Sequence, residues 1–182
     1  MGTTGMRRYD PDRRSRITTA ALDVIAEHGV AGTTHRRVAA AANVPLGSMT
    51  YHFTGLDDLL TAAFTLLADT VSSRFAERLS AAMTPDEARE AVVDIVMGEG
   101  WATPRNMLLS YELYAYAARN PALRAVMQAW MGKSRTALER HFPAETAKVL
   151  DAMIEGVTVH RSVDLQPMNR AEVLAVVQKL TH

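Results

Sequence analysis

Helix-start punctuation recurs along this chain and limits what it can fold into. Thr34, Thr54, Thr84-Pro85, Thr103-Pro104, Asn120-Pro121 and Asn169 each precede a run whose apolar residues return every three or four positions. Side chains of this kind accept from the free amides of a first helical turn, and a proline at the next position loses no helical hydrogen bond. A strand needs sustained apolar–polar alternation, and no stretch keeps it up. Asp10-Pro11 marks one more start, with Ile17, Ala20, Ala21, Val24 and Ile25 on one face and Gly29 as the C′ stop. About nine helices follow, and the expected class is all-α.

The fourth run is the longest. Thr54-Gly55-Leu56-Asp57 reads as a capping box, and Leu59, Leu60, Ala63, Phe64, Leu67, Val71, Phe75 and Leu79 carry one stripe through about 25 residues. Before Gly55 the helices are short and basic; after it they are long and apolar. The expected division is therefore 1–55, an N-terminal arm with three short helices, and 56–182, a helical body. The whole chain balances 20 Lys+Arg against 20 Asp+Glu, yet residues 1–56 hold seven arginines and only four acids. A basic head on an acidic body points one end at a polyanion.

Composition removes several classes. With no cysteine, a disulfide framework, a thiol nucleophile and a Cys-ligated metal are excluded. No run of about 18 apolar residues appears, and no apolar core of a signal peptide follows the first arginines, so a cytoplasmic protein with no membrane partner is expected. The six histidines never fall in Glu-x-x-His or His-Glu-x-x-His spacing. Phosphate loops and the GxSxG elbow are absent too. No enzyme, metal or cofactor is expected.

The segment Thr34–Phe53 carries the sharper signal. Thr34 caps a short helix, Asn43 suits a left-handed turn, and Pro45 can open the next helix at N1. Ala39 is small where two helices cross, and Val38, Val44 and Met49 can pack on Leu22 and Ile25. These are the requirements of a helix-turn-helix, whose second helix fits a major groove about 12 Å wide.

Thr34-His35-Arg36-Arg37-Val38-Ala39 followed by Asn43-Val44-Pro45-Leu46-Gly47-Ser48-Met49-Thr50-Tyr51-His52-Phe53 resembles the DNA-binding domain of the tetracycline-repressor (TetR) family. The resemblance extends without a gap over residues 12–64. It implies an N-terminal helix-turn-helix and a C-terminal bundle for ligand binding and dimerisation. It also implies that Arg36 reads a base edge, with Arg37 beside it, and that Leu46, Gly47, Thr50 and Tyr51 face the groove. Thr34, Ser48, Tyr51, His52 and the amides after Thr54 are implied phosphate contacts. The family usually has tyrosine where Thr50 stands and a phosphate-binding lysine where Leu56 stands. Arg7, Arg8, Arg13 and Arg14 can supply an N-terminal arm in compensation.

Two further groups lie in the body. Met97, Trp101, Met107, Tyr111, Tyr114, Met127, Trp130 and Met131 concentrate adaptable and aromatic side chains within 35 residues. Such residues wall either a bundle core or a site for a bulky apolar molecule. Val149, Met153, Val157 and His160 repeat at helical spacing, as do Val173 and Val177 with Leu174 and Leu180. Those stripes fit either the chain's own body or a second copy, and the resemblance implies a homodimer interface. The resulting expectation is a repressor that binds a palindromic double-stranded DNA operator and is released by a small effector. A helical protein–protein adaptor with no DNA role is the alternative.

Overall fold

A computed structural model of the chain describes residues 12–98 and 102–182. Arg7, Arg8, the Asp10-Pro11 start and Trp101 lie outside the described residues. Those described form nine helices: α1 (Arg13–Gly32), α2 (His35–Ala41), α3 (Gly47–His52), α4 (Leu56–Ser80), α5 (Pro85–Val96), α6 (Pro104–Ala117), α7 (Pro121–Leu138), α8 (Ala144–Val163) and α9 (Arg170–Leu180). No strand occurs among them. Packing divides the chain into one unit ending at Ala63 and another running Phe64–His182, so α4 contributes residues to both.

In the first unit α1 packs on α2 and α2 on α3. Ile17, Ala21, Ile25, Val38, Met49 and Phe53 are buried there. Gly29 has φ 67°, as a C′ residue should, but the chain resumes for another turn and ends at Gly32. Gly29 thus breaks the first helical run, as expected, and a further turn follows across the kink; the Thr33 hydroxyl donates back to the Gly29 carbonyl at 2.8 Å. Asn43 takes the left-handed turn with φ 52°.

Two local expectations need correction. Pro45 does not open α3. The Ser48 amide donates to the Pro45 carbonyl at 2.8 Å and Met49 to Leu46 at 3.0 Å, so a tight turn precedes the helix, which starts at Gly47. The start of α4 is closed by Asp58 rather than Asp57. Its carboxylate accepts from the Thr54 amide at 2.9 Å and the Thr54 hydroxyl at 3.3 Å.

The second unit holds one continuous core. Phe75 and Leu79 from α4 meet Ala88, Val92 and Val96 of α5, Leu138 of α7, Leu150 and Ile154 of α8, and Val173 and Val177 of α9. Thr84–Glu87 and Asn169–Glu172 form reciprocal capping boxes on α5 and α9. α7 stops at Leu138 instead of reaching His141, whose ring Nε2–H donates to the Leu79 carbonyl at 2.8 Å. Asp94 on α5 accepts from Arg78 Nε of α4 at 2.7 Å and from Arg170 of α9 at 2.6 Å.

Val173 and Val177 were expected on a face shared with a second copy. Both have 0% exposure within the single chain. Burial of a valine stabilises by about 1.5–3 kcal/mol, and here that burial is already complete against α5 and α8, which leaves nothing for a partner to cover.

Candidate nucleic-acid interface and ligand pocket

The three short helices of the first unit leave a distinctive outer surface. Tyr51 is 81% exposed and Leu46 50%. Gly47 and Thr50 are exposed as well, and His52 is half-buried. The Tyr51 ring meets the His52 ring edge-on, with centroids 4.8 Å apart. An aromatic side chain set out in water gains little from the fold of its own unit. No acidic residue stands on α2 or α3.

The other predicted contacts divide. Arg36 is exposed on α2. Arg37 is exposed too, but its guanidinium donates to the Gly32 carbonyl at the end of α1, and its amide donates to the Thr34 hydroxyl at 3.2 Å. Thr34 is therefore an N-cap by geometry. Ser48 is corrected: at 8% exposure it lies on the inner side of α3 next to the fully buried Met49, a consequence of the turn that begins the helix two residues late. Thr54 is engaged within the chain. Asp58 already occupies its amide and hydroxyl with a negative charge, so a phosphate could bind there only if that carboxylate turned away. Arg14 of the expected arm lies over the Phe53 ring at 4.9 Å, and Phe53 itself is 2% exposed and belongs to the core.

In the second unit a cavity opens between the end of α4 and helices α6, α7 and α8. Its free space, open mouth included, is about 660 Å³. Met107, Tyr111 and Tyr114 line it from α6, and Met127, Trp130 and Met131 from α7. Six of the eight residues singled out in sequence thus share one wall. Met97 does not. It packs against the apolar cluster around α5, because α5 turns its whole inner face to α8 and α9 rather than to α6.

The floor comes from residues that the sequence did not nominate. Asp151, Ile154, Glu155, Thr158 and Val159 of α8 reach the cavity, as do Val71 and Phe75 of α4. Spacings of three, four and seven place Asp151, Ile154, Glu155 and Thr158 on one face of α8. Val149, Met153, Val157 and His160 fall on the opposite face. Val149 and His160 are exposed there, while Met153 and Val157 are half-buried. The signal in sequence was a pair of carboxylates four apart inside an apolar helix.

Electrostatics distinguish the two acids. Arg135 Nε of α7 donates to Asp151 at 2.9 Å. Burial nevertheless pushes the Asp151 carboxyl up, with the Arg135 hydrogen bond acting against it. Burial also pushes Glu155 up, helped by the nearby Asp151 charge and opposed by a hydrogen bond from the Tyr114 hydroxyl. Tyr114 is shifted strongly upward in turn, by burial first and then by Glu155. Thr158 Oγ1 is buried with no hydrogen-bond partner. Tyr111 shares a hydrogen bond with Ser162.

Residues 83–182, more than half of the chain, match the tetracyclin repressor-like C-terminal domain, and residues 17–63 match the bacterial regulatory proteins of the tetR family. The chain belongs to the TetR family. It is a ligand-responsive DNA-binding transcriptional regulator. It is similar to the transcriptional regulator SCO7518 from Streptomyces coelicolor A3(2), at 49% identity and TM-score 0.89 over 94% of this chain and 99% of that one. The multidrug binding protein EbrR complexed with ethidium is 33% identical, with TM-score 0.78 over 93% of this chain and 99% of that one. The HTH-type regulator CymR of Pseudomonas putida is 28% identical over 128 residues, which cover 70% of this chain and 62% of CymR. No helix among the described residues of this TetR-family chain is long and apolar enough to cross a membrane.

Proposed function

We propose that this regulator is a cytoplasmic, non-enzymatic homodimeric repressor whose operator is a pseudo-palindrome and whose release is triggered by a bulky aromatic molecule in the α4–α6–α7–α8 cavity. The observation that carries the reading is the gathering of Tyr111, Tyr114, Trp130 and three methionines around one cavity. Methionine side chains can swing to fit different ring systems, and aromatic faces stack on them. EbrR, complexed with ethidium, with proflavin and with malachite green, supports the same size and shape of ligand here.

Residues 1–55 take the DNA-binding role and 56–182 the sensing and pairing roles. One recognition helix alone buries little surface on a duplex. Two copies reading half-sites one helical turn apart, about 34 Å, reach useful affinity. Arg36, Leu46, Gly47, Thr50 and Tyr51 are the proposed base-reading set. Val149, Met153, Val157 and His160 on the outer face of α8 are the proposed pairing surface.

The coupling runs along a single helix. α4 opens beside Phe53 and presents Val71 and Phe75 to the cavity. A ligand wedged against those two side chains displaces α4 and alters the spacing of the two reading helices.

The test is a gel shift with the DNA flanking the protein's own gene, across a salt series, with and without malachite green. A protein-free lane corrects for any direct action of the dye on DNA. Steep loss of affinity with salt and release by the dye are expected. No shift of the DNA at any salt concentration points to the adaptor reading instead. A dye that binds the protein yet leaves the DNA affinity unchanged removes the coupling.

A further inference from the structure

The lining of the α4–α6–α7–α8 cavity contains an unbalanced charge. Four ionisable side chains face it: Tyr111, Tyr114, Asp151 and Glu155. Asp151 is matched by the Arg135 guanidinium at 2.9 Å. Tyr111 is engaged with Ser162. Glu155 has the Tyr114 hydroxyl, a neutral donor, as its hydrogen-bond partner. Two carboxylates against one guanidinium leave one negative charge in excess, among Trp130, Phe75, Ile154 and the methionines.

We infer that the effector is a lipophilic aromatic cation carrying a single positive charge, which Glu155 neutralises as the Tyr114 hydroxyl gives way. The inference rests on the pocket reading above and adds the ligand's charge to it. A carboxylate taken out of water without a counter-ion is costly, and a ligand cation removes that cost where a neutral molecule cannot. The rings of Trp130, Tyr111 and Tyr114 favour the same charge, since a cation is attracted to an aromatic face. The charge count sets the limit at one, because a second positive charge would find Asp151 already paired.

One helical turn beyond Glu155, Thr158 belongs to the cavity lining, and its Oγ1 is buried with no partner, the residue being 4% exposed. An unsatisfied buried hydroxyl calls for a hydrogen bond from whatever fills the space. An amine or hydroxyl on the ligand's ring, near its charged end, would meet it.

The probes are ethidium, a permanent cation, and 6-phenylphenanthridine, the uncharged ring system of the same dye at pH 7.5. Binding to the full chain is read by fluorescence. Ethidium is expected to bind the wild type at least 10-fold more tightly than the neutral probe. Glu155→Gln should weaken ethidium by roughly 10- to 100-fold, the loss of one charge-assisted contact. The same variant should leave the neutral probe within about 2-fold, which also shows that the cavity is intact. Tyr114→Phe keeps the ring, removes the competing hydroxyl and should tighten ethidium. Equal binding of both probes, or an ethidium affinity unmoved by Glu155→Gln, overturns the charge assignment and leaves the pocket standing. Failure of both probes to bind the wild type overturns the pocket reading together with it.

Discussion

The Arg37 guanidinium donates to the carbonyl of Gly32, tying the first turn of α2 to the last turn of α1. Its neighbour Arg36 is exposed on the same helix. Two adjacent arginines that look alike in sequence therefore predict different phenotypes. Arg36→Ala should leave thermal unfolding unchanged but cost about 1–3 kcal/mol of operator binding and relax sequence preference. Arg37→Ala should lower stability by about 0.5–1.5 kcal/mol through the lost hydrogen bond, and weaken DNA binding without changing which sequence is preferred. Melting curves beside a competition gel shift with operator and scrambled DNA separate the two.

Burial, helped by the nearby Asp151 charge, raises Glu155 above its ordinary value. The native state then holds this proton at pH values where the unfolded chain has released it, so stability falls as pH rises from the unfolded value, about 4.3, through the raised native one. Asp151 is raised in the same sense and adds to the slope. Glu155→Gln removes one share of that slope and should raise the Tm of the unliganded protein near neutral pH by about 2 °C, a small gain because water at the open mouth screens part of the charge. Melts of both proteins between pH 4 and pH 8 check it, and curves that stay parallel throughout would contradict the assignment.

Asp94 behaves in the opposite way. Burial pushes its carboxyl up, but the hydrogen bonds and charges of Arg78 and Arg170 outweigh that and hold it below the usual value. A depressed carboxylate adds stability above its unfolded pKa, and that stability is lost as pH falls through the native value. Asp94→Asn should cost about 1–2 kcal/mol at pH 7, because two guanidiniums from α4 and α9 lose their shared acceptor. The penalty should shrink in acid, where the wild type loses the same contact. Urea unfolding at pH 7 and at acidic pH measures both halves.

Much of this arrangement was legible before any coordinates. Caps are local, and Thr34, Thr84, Thr103, Asn120 and Asn169 each accept from the amides expected of them. α3 was harder. Six residues are too few to show a stripe, so its rotation was set by the turn at Pro45–Leu46, and Ser48 ended inward. The acidic face of α8 is hard to see for another reason. A helix covered on two sides has two apolar stripes, and the one with valines hid the one with Asp151 and Glu155. The aromatic wall is legible because tyrosine, tryptophan and methionine are conspicuous. The acids on its floor are not, since a carboxylate in a helix is ordinarily a solvated one.

The two faces of α8 and the fate of α9 lead to a last contrast. Val177 has no surface left in the single chain, whereas Val149 is 49% exposed on the face of α8 turned away from the cavity. A charge at Val177 would sit inside the core with no partner, which costs several kcal/mol. Val177→Asp should therefore yield a chain that expresses poorly and has lost helical signal. A charge at Val149 meets water in the single chain, whereas in the proposed pair it would be taken out of water within an apolar contact, which is costly. Val149→Asp should keep the helical content and the affinity for the pocket ligand but shift sedimentation from dimer to monomer, with operator affinity falling by at least 10-fold because one reading helix no longer brings a second. A dimer that survives Val149→Asp would move the pairing surface off this face of α8.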